Sequence, residues 1–394
     1  MKNTQIITVI LSLTLLFSCN TENKQSQSFR KEQSIVRLQI TDLKIDTIFL
    51  NHPNTSYEGF LTVQANEIYF LDDLFATATI FDLNGKIKGQ FLGKGEGDSE
   101  IEGIKGFIPL NDEYIITKGY SVYTFNKNWK KTKHSVMQWN SDKSVDELTN
   151  HPKPDDIGIY ELKYKPSLYR IFDNEHIIMN TETTHPKFNG YFSTVSKEFY
   201  QNAHIFALLN RKTSRIDKIF GNYSDVYLRN NIPNYANWYS DITDSELYMN
   251  FEADSLVYVY DKKSLQPSFC FGRSGMNMKQ NYQTTETYDK AMEQWKQDRV
   301  NNGYYTDISV FAEQDLIFRF YTVGVKKRLE DSEIKTEYDS PRRMQIYKNR
   351  VLIGDLKVPN RFKIVGKIGD YFIADGIVDD IKEKIAFYKF KIPQ

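Results

Sequence analysis

Along almost its whole length the chain alternates short runs of aromatic and branched apolar residues with clusters of Asn, Asp, Gly and charged residues. Six segments share one form, an acidic or Asn-rich turn leading into an apolar run. They are NEIYFLDD (66–73), NDEYIITKG (111–119), DNEHIIMNT (173–181), DSELYMNFE (244–252), EQDLIFRFY (313–321) and GDYFIADG (369–376). Each follows another such run, among them FLTVQ, GFIPL, LYRIF and FKIVGKI. Apolar runs of about four to eight residues bounded by turn residues predict β-strands. A third run with its own tight turn comes next, as in ATIFDLNGK (78–86), VYTFNKNWK (122–130), FALLNRKTS (206–214), LVYVYDKKS (256–264) and MQIYKNR (344–350). These five continue into a fourth run: IKGQFLG, KTKHSVM, IDKIFG, PSFCFG and VLIGDLKV. A repeated unit of four antiparallel strands predicts the blades of a β-propeller, whose blades usually occupy ~40–50 residues before insertions.

The sixth unit is incomplete, because KIAFYKFKI is followed only by Pro393 and Gln394. The N-terminal run IVRLQITDLKIDTIFL (35–50) has no blade of its own. Supplying it as the missing fourth strand closes the ring and removes an exposed sheet edge. The expected fold is therefore all-β, a six-bladed propeller over 35–394 closed by an N-terminal strand that completes the last blade. The turns between first and second and between third and fourth strands are short. The long insertions, 137–166, 181–204, 221–238, 272–304 and 321–342, all belong to the opposite face of the ring. One of them carries the single expected helix. In 284–302, Tyr288, Ala291, Met292, Trp295 and Arg299 recur at helical spacing behind Thr287 as N-cap, a pattern that would dock a Trp stripe on the ring.

Ahead of the repeat, MKNTQIITVILSLTLLFSC reads as an export signal, with a positive start and an apolar run too short to span a bilayer comfortably. Its end, Leu16-Phe17-Ser18-Cys19, resembles a bacterial lipobox, which implies cleavage after residue 18 and acylation of Cys19. Residues 19–34 are polar and read as a flexible tether. Location in the cell envelope on a lipid anchor follows, with the outer membrane the expected membrane. With Cys19 consumed only Cys270 remains, so no disulfide framework is expected, and its apolar setting predicts a buried inert thiol. The 51 basic and 51 acidic residues leave no basic field to recruit nucleic acid.

The one stretch that could be mistaken for a phosphate loop is GKGEGDSE (93–100). It fits neither a P-loop nor a dinucleotide loop: the spacing is wrong, it leads into a strand, and its acids would repel phosphate. It reads instead as the sharp link between the first and second blades. Phe81, Asp82, Gly85, Lys86, Gly93, Gly95, Gly97, Glu100 and Ile101 together resemble the blade ending of TolB-like and NHL-like six-bladed propeller lipoproteins of the Bacteroidetes. Asp98 and Ser99 stand where that pattern has Pro and Gly. The resemblance implies a propeller lipoprotein of the envelope, a group most of whose members have no assigned activity.

No H-E-x-x-H, G-x-S-x-G, paired-cysteine or EF-hand motif occurs, and nothing calls for a metal or other cofactor. Residues 221–239 combine Tyr223, Tyr227, Arg229, Tyr235, Trp238 and Tyr239 with asparagines. Aromatic faces beside amide and guanidinium donors suit a sugar or peptide ligand, and the same rings could equally pack between blades. The expected function is a non-catalytic binding or scaffold module for a glycan, peptide or envelope protein. The alternative is a glycan hydrolase or lyase with its site at the mouth of the central channel.

Overall fold

The computed structural model describes residues 29–51, 54–163, 168–188, 197–230, 232, 235, 237–282, 287–324, 340–379 and 384–393. Their strands form six sheets, in each of which strands that follow one another in sequence pair antiparallel. Blade one runs from Gly59–Gln64 to Ile87–Phe91, blade two from Gly106–Pro109 to Lys131–Val136, and blade three from Tyr169–Ile171 to Ile216–Phe220. Blade three has a further inner strand, Tyr160–Leu162, on the same neighbour, His176–Thr183. Blade four spans Trp238–Ile242 to Pro267–Gly272 and blade five Tyr304–Phe311 to Val351–Val358. Blade six has Lys363–Ile368, Tyr371–Asp379 and Lys384–Phe390, and its fourth strand is Ile45–Phe49. The molecule is a six-bladed propeller.

Why a ring follows is visible in the burial. A blade flanked on both faces must be apolar on both, and the second strands read accordingly: Ile68, Phe70, Ile116, Ile177, Met249, Phe318 and Ile373 are all buried. Six apolar clusters result among the described residues, one per blade interface. The interface between blades six and one joins Phe387 and Ile373 to Leu61 and Phe70, so the ring is closed by apolar packing as well as by the N-terminal strand.

Closure uses less of the N-terminal segment than expected. Of residues 35–50, only Ile45–Phe49 enters blade six, pairing Ile45 with Phe390 and Phe49 with Ala386. Val36–Ile40 instead lies parallel on the outer strand of blade five, and Arg30–Gln33 parallel on that of blade four. Arg30–Gln33 of the expected tether is therefore strand, and Phe29 packs edge-on against Tyr258 and Tyr260 at 4.8 and 5.1 Å. The physical reason is edge capping: the outer strands of blades four and five have open N–H and C=O groups, and the passing chain satisfies them.

The tight turns follow one device. Asp82, Asn126, Asn210 and Asp261, each at the end of a third strand, accept backbone N–H groups two to four residues on. In blade one Asp82 is held below the usual carboxylate range by the N–H groups of Lys86 and Asn84. The two-residue hairpins Ala65-Asn66 and Asn349-Arg350 have positive φ at both positions, as a type I′ turn requires. GKGEGDSE joins the outer strand of blade one to the inner strand of blade two. There the Glu100 carboxylate accepts the Gly97 N–H at 2.9 Å, and a Cβ on Gly95 would collide with that carboxylate. The loop's acid is consumed by the loop.

Four helices occur among the described residues: α1 (Val145–Asn150), α2 (Lys197–Asn202), α3 (Asp225–Asn230) and α4 (Tyr288–Asn301). Only α4 was expected. The other three are single short turns whose periodicity is too brief to register, although α1 does carry a capping box from Ser144 to Glu147. Helix α4 docks as expected: Ala291 is buried and the Trp295 indole N–H donates to Glu252 at 3.3 Å. No helix among the described residues is long and apolar enough to cross a membrane.

The division of labour along the N-terminal belt predicts a graded deletion series. Removing residues through 44 should uncover the edges of blades four and five yet keep the ring closed. Removing residues through 50 should cost several kcal/mol more, as an interface and a ladder are lost together. Equal melting temperatures for the two truncations would exclude closure by Ile45–Phe49.

Candidate functional site

The inner strands of all six blades surround a central cavity of about 400 Å³. Inward residues include Phe60, Phe107, Tyr169, Tyr239 and Phe311, interleaved with Lys105, Arg170, Asp241, Asp307, Lys363 and Asp375. Period-two alternation explains the mixture: a strand that packs on neighbouring blades with one set of residues turns the other set toward the axis.

The channel carboxylates act first as connectors between blades. Asp241 of blade four accepts the N–H of Val310 in blade five at 2.7 Å, and that of Ile242 at 2.9 Å. Asp375 of blade six accepts the N–H of Leu61 in blade one at 3.2 Å. Asp307 of blade five pairs with Lys363 of blade six at 3.2 Å and with Arg342 at 2.5 Å. At the link from blade one to blade two, Asp73 binds Lys105 and Lys118 and accepts the Ile104 N–H at 3.2 Å. Ser309 Oγ donates to the Ile364 carbonyl at 3.0 Å, again from blade five to blade six.

Environment separates these acids into two groups. Burial pushes the Asp241 carboxyl above its ordinary value, against the opposing pull of Arg170 and of the N–H donors. Burial likewise raises Asp375, against the Leu61 N–H and Lys363. Asp307 is also subject to burial, but Lys363 and Arg342 outweigh it and hold the carboxyl low. Lys105 and Lys118 do the same for Asp73.

Beside the channel, on the face of the long insertions, lies a second cavity of about 260 Å³. Blade four gives it Tyr239, blade five Tyr304, Thr306, Asp307, Thr322 and Arg342, and helix α4 Arg299; Arg361 and Lys363 come from the start of blade six. Tyr239, Asp307 and Lys363 line both cavities, so the two adjoin at these residues.

The aromatic segment expected to recognise ligand is mostly elsewhere. Tyr223, Tyr227, Tyr235 and Trp238 are buried in the cluster between blades three and four. Helix α3 turns Tyr227 inward, where its hydroxyl donates to the Tyr235 carbonyl at 2.5 Å; the Tyr235 hydroxyl in turn meets the Asp298 carboxylate. Tyr223 stands edge-on to Trp238 at 5.6 Å. Arg229 is exposed in the last turn of α3, away from these rings' buried faces. Of the six, Tyr239 lines both cavities, and Trp238, buried in the cluster, borders the central one. The four buried rings follow the packing alternative: a polar-looking loop can still fold its rings inward when a short helix separates them from its asparagines. The residues sequence reasoning missed, Arg170, Asp241, Asp307 and Lys363, did leave a signal. Each is an ionisable residue at the inner-strand position of its unit, in YRI, WYSDI, DISVF and FKIVG.

Cys270 is buried, and burial pushes its thiol up to about 11, in keeping with an inert core cysteine. No group of three His, Cys, Asp or Glu side chains suited to a metal ion occurs among the described residues.

The chain matches no protein-family model and no curated protein. Its likeness is to solved structures. A member of the DUF4221 family from Bacteroides vulgatus superposes with a TM-score of 0.64 at 14% identity, over 90% of this chain and 98% of that one. A candidate exported protein from Bacteroides fragilis superposes with a TM-score of 0.54 at 12% identity, over 92% of this chain and 100% of that one. At such identities the likeness establishes the fold.

Two measurements test this placement. Trp238→Ala should cost about 3–5 kcal/mol of folding stability, as expected for a fully buried ring, and thermal or urea unfolding will read it. A variant that unfolds like the parent would return Trp238 to the candidate ligand surface. The second concerns Asp241 and Asp375. A carboxyl with a raised folded pKa binds its proton more readily in the folded chain, so its contribution to stability grows as pH falls from the folded pKa toward about 3.9. Relative to the Asp241→Asn, Asp375→Asn double variant, the parent should therefore gain stability between pH 7 and the acid side of that window. A difference in urea midpoint that stays constant across the range would show that both carboxyls ionise alike in the folded and unfolded chain.

Proposed function

We propose that the protein is an envelope lipoprotein, anchored through Cys19, whose propeller is a non-catalytic binding module for a glycan or peptide partner. Export and anchoring rest on LFSC at residues 16–19, on the polar residues that follow, and on the fold shared with a candidate exported protein of Bacteroides fragilis. The blade ending that resembles TolB-like and NHL-like lipoproteins supports the same reading.

The observation that carries the binding function is the meeting of the channel with the cavity at the loop-rich face. It sets the Tyr239 ring beside cationic, carboxylate and hydroxyl groups, a mixture that gives stacking area and directed hydrogen bonds to a polar ligand. A binding role is favoured over hydrolysis because Asp241 and Asp375, the channel acids with raised pKa, both accept backbone N–H groups of the neighbouring blade. A general acid or nucleophile committed to holding blades together is poorly placed to exchange protons with substrate.

Tyr239→Ala should weaken a ligand found in a glycan and peptide panel by about 1–3 kcal/mol while Arg229→Ala leaves it unchanged. The opposite pattern, measured by titration calorimetry, would move the site out of the channel mouth. Labelled palmitate should enter the parent and not Cys19→Ala; label in both would exclude anchoring at that cysteine.

A further inference from the structure

The cavity at the loop-rich mouth is not neutral. Among the described residues its lining has four cationic side chains, Arg299, Arg342, Arg361 and Lys363, and a single carboxylate, Asp307. Arg299 is matched from behind by the fully buried Glu252 at 2.5 Å and is sandwiched between the Trp295 and Tyr304 rings at 4.2 and 4.3 Å. Arg342 and Lys363 share Asp307 between them, so one carboxylate serves two cations. Two further lining residues carry unmet hydrogen-bonding capacity. Arg342 Nε and Thr306 Oγ1 are buried and have no hydrogen-bond partner among the described residues. Leaving such groups unpaired costs about 1–3 kcal/mol each, more when charged. Arg361 adds a backbone sign: it is a non-glycine residue at φ +62° in the short link that opens blade six, a conformation of the kind retained at functional sites.

Two cations sharing one carboxylate, with hydroxyls beside them, on a pit walled by three blades and a helix describe an oxyanion receptor. We infer that this pocket binds the carboxylate of an acidic sugar, with Arg342 and Lys363 as its principal partners, Arg361 at its edge, and Thr306 and Thr322 toward the sugar hydroxyls. The inference rests on the reading that the loop-rich mouth is the binding site, and it names the ligand class. A sugar is preferred to an acidic peptide on two grounds. Tyr239 and Tyr304 offer ring faces beside the cations. The cavity is also a pit rather than a groove along an open strand edge, which an extended peptide would follow. Asp307 has a definite part: it holds the two cations in place of the ligand and competes with it.

Calorimetric titration of the purified full chain with cellobiouronic acid and with neutral cellobiose tests this, with an acetylated dipeptide bearing a free carboxylate as a third arm. The uronate should bind at least about tenfold more tightly than cellobiose, and more weakly as salt is raised. Lys363→Gln should lose about tenfold of that affinity and Lys363→Arg should recover most of it. Asp307→Asn should bind the uronate more tightly than the parent, a gain that a purely structural cluster would not show. Melting temperature on each variant separates binding loss from unfolding. Equal affinity for uronate and cellobiose, or no uronate binding by a folded parent, overturns the inference. Tighter binding of the dipeptide than of the uronate overturns the sugar assignment. Neutral cellobiose bound without acid preference and lost in Tyr239→Ala would refute the anion pocket while leaving the proposed binding function standing. Uronate binding that is lost in Lys363→Gln but indifferent to Tyr239→Ala would keep the pocket and remove the channel from the site.

Discussion

Everything in this molecule depends on closing a ring. A blade presents apolar residues on both faces, so no blade is stable until both neighbours are in place, and the first and last blades lack one neighbour until the ends meet. The chain meets that constraint twice. Phe387 and Ile373 pack on Leu61 and Phe70 across the final interface. Ile45–Phe49 then makes one sheet out of sequence from opposite ends of the repeat. The second device ties closure to backbone hydrogen bonds, which cannot be partly satisfied by a looser packing. The approach to that strand follows from it. A chain that must reach blade six at residue 45 has to pass the outer edges of blades four and five, and there it adds two parallel strands to edges that would otherwise template association.

The same constraint accounts for the ionisable groups near the axis. Inner strands diverge from one another and cannot pair as a barrel would, so side chains span the gaps. Asp241 to Val310, Asp375 to Leu61 and Asp307 to Lys363 are three such spans, all directed from one blade to the next. Between blades four and five, the fully buried Arg319 lies over the Tyr305 ring and donates to Asn250 Oδ1 and to the Asp254 and Ser255 carbonyls. A buried guanidinium is tolerable when its donors are met in this way, and removing its partners would leave an uncompensated charge.

What was legible in the sequence follows the range of the interactions involved. The repeat, the blade count, the closing strand and the face of the insertions depend on period-two burial and turn chemistry, which are local, and FDLNGK or FNKNWK shows both within six residues. The limits of the closing strand were not legible. IVRLQI and IDTIFL have the same strand pattern, and only the three-dimensional path past blade five distinguishes a parallel edge cap from an antiparallel closing strand. The aromatic link misled for a related reason. Tyr223, Tyr227 and Trp238 look like a ligand surface when read beside their asparagines, yet α3 is too short to announce which side of it is buried. The mouth of the channel was hidden because its members come from five separated stretches, 239, 299–307, 322, 340–342 and 361–363, with no spacing to mark them.

This leaves a division within the fold that the energetics make intelligible. The rim carries the N-terminal belt, the tight-turn face carries the Asx turns, and the axis carries the blade-to-blade spans, so substitutions in any of these threaten the ring. The loop-rich mouth shares one of these spans, Asp307 to Lys363, and adds a second cation to it. There Arg342 and Lys363 share the Asp307 carboxylate, where closure alone would call for a balanced pair, as at Arg343 with Asp355 on the same blade. Sharing one carboxylate between Arg342 and Lys363 ties these elements more weakly than a separate partner for each would.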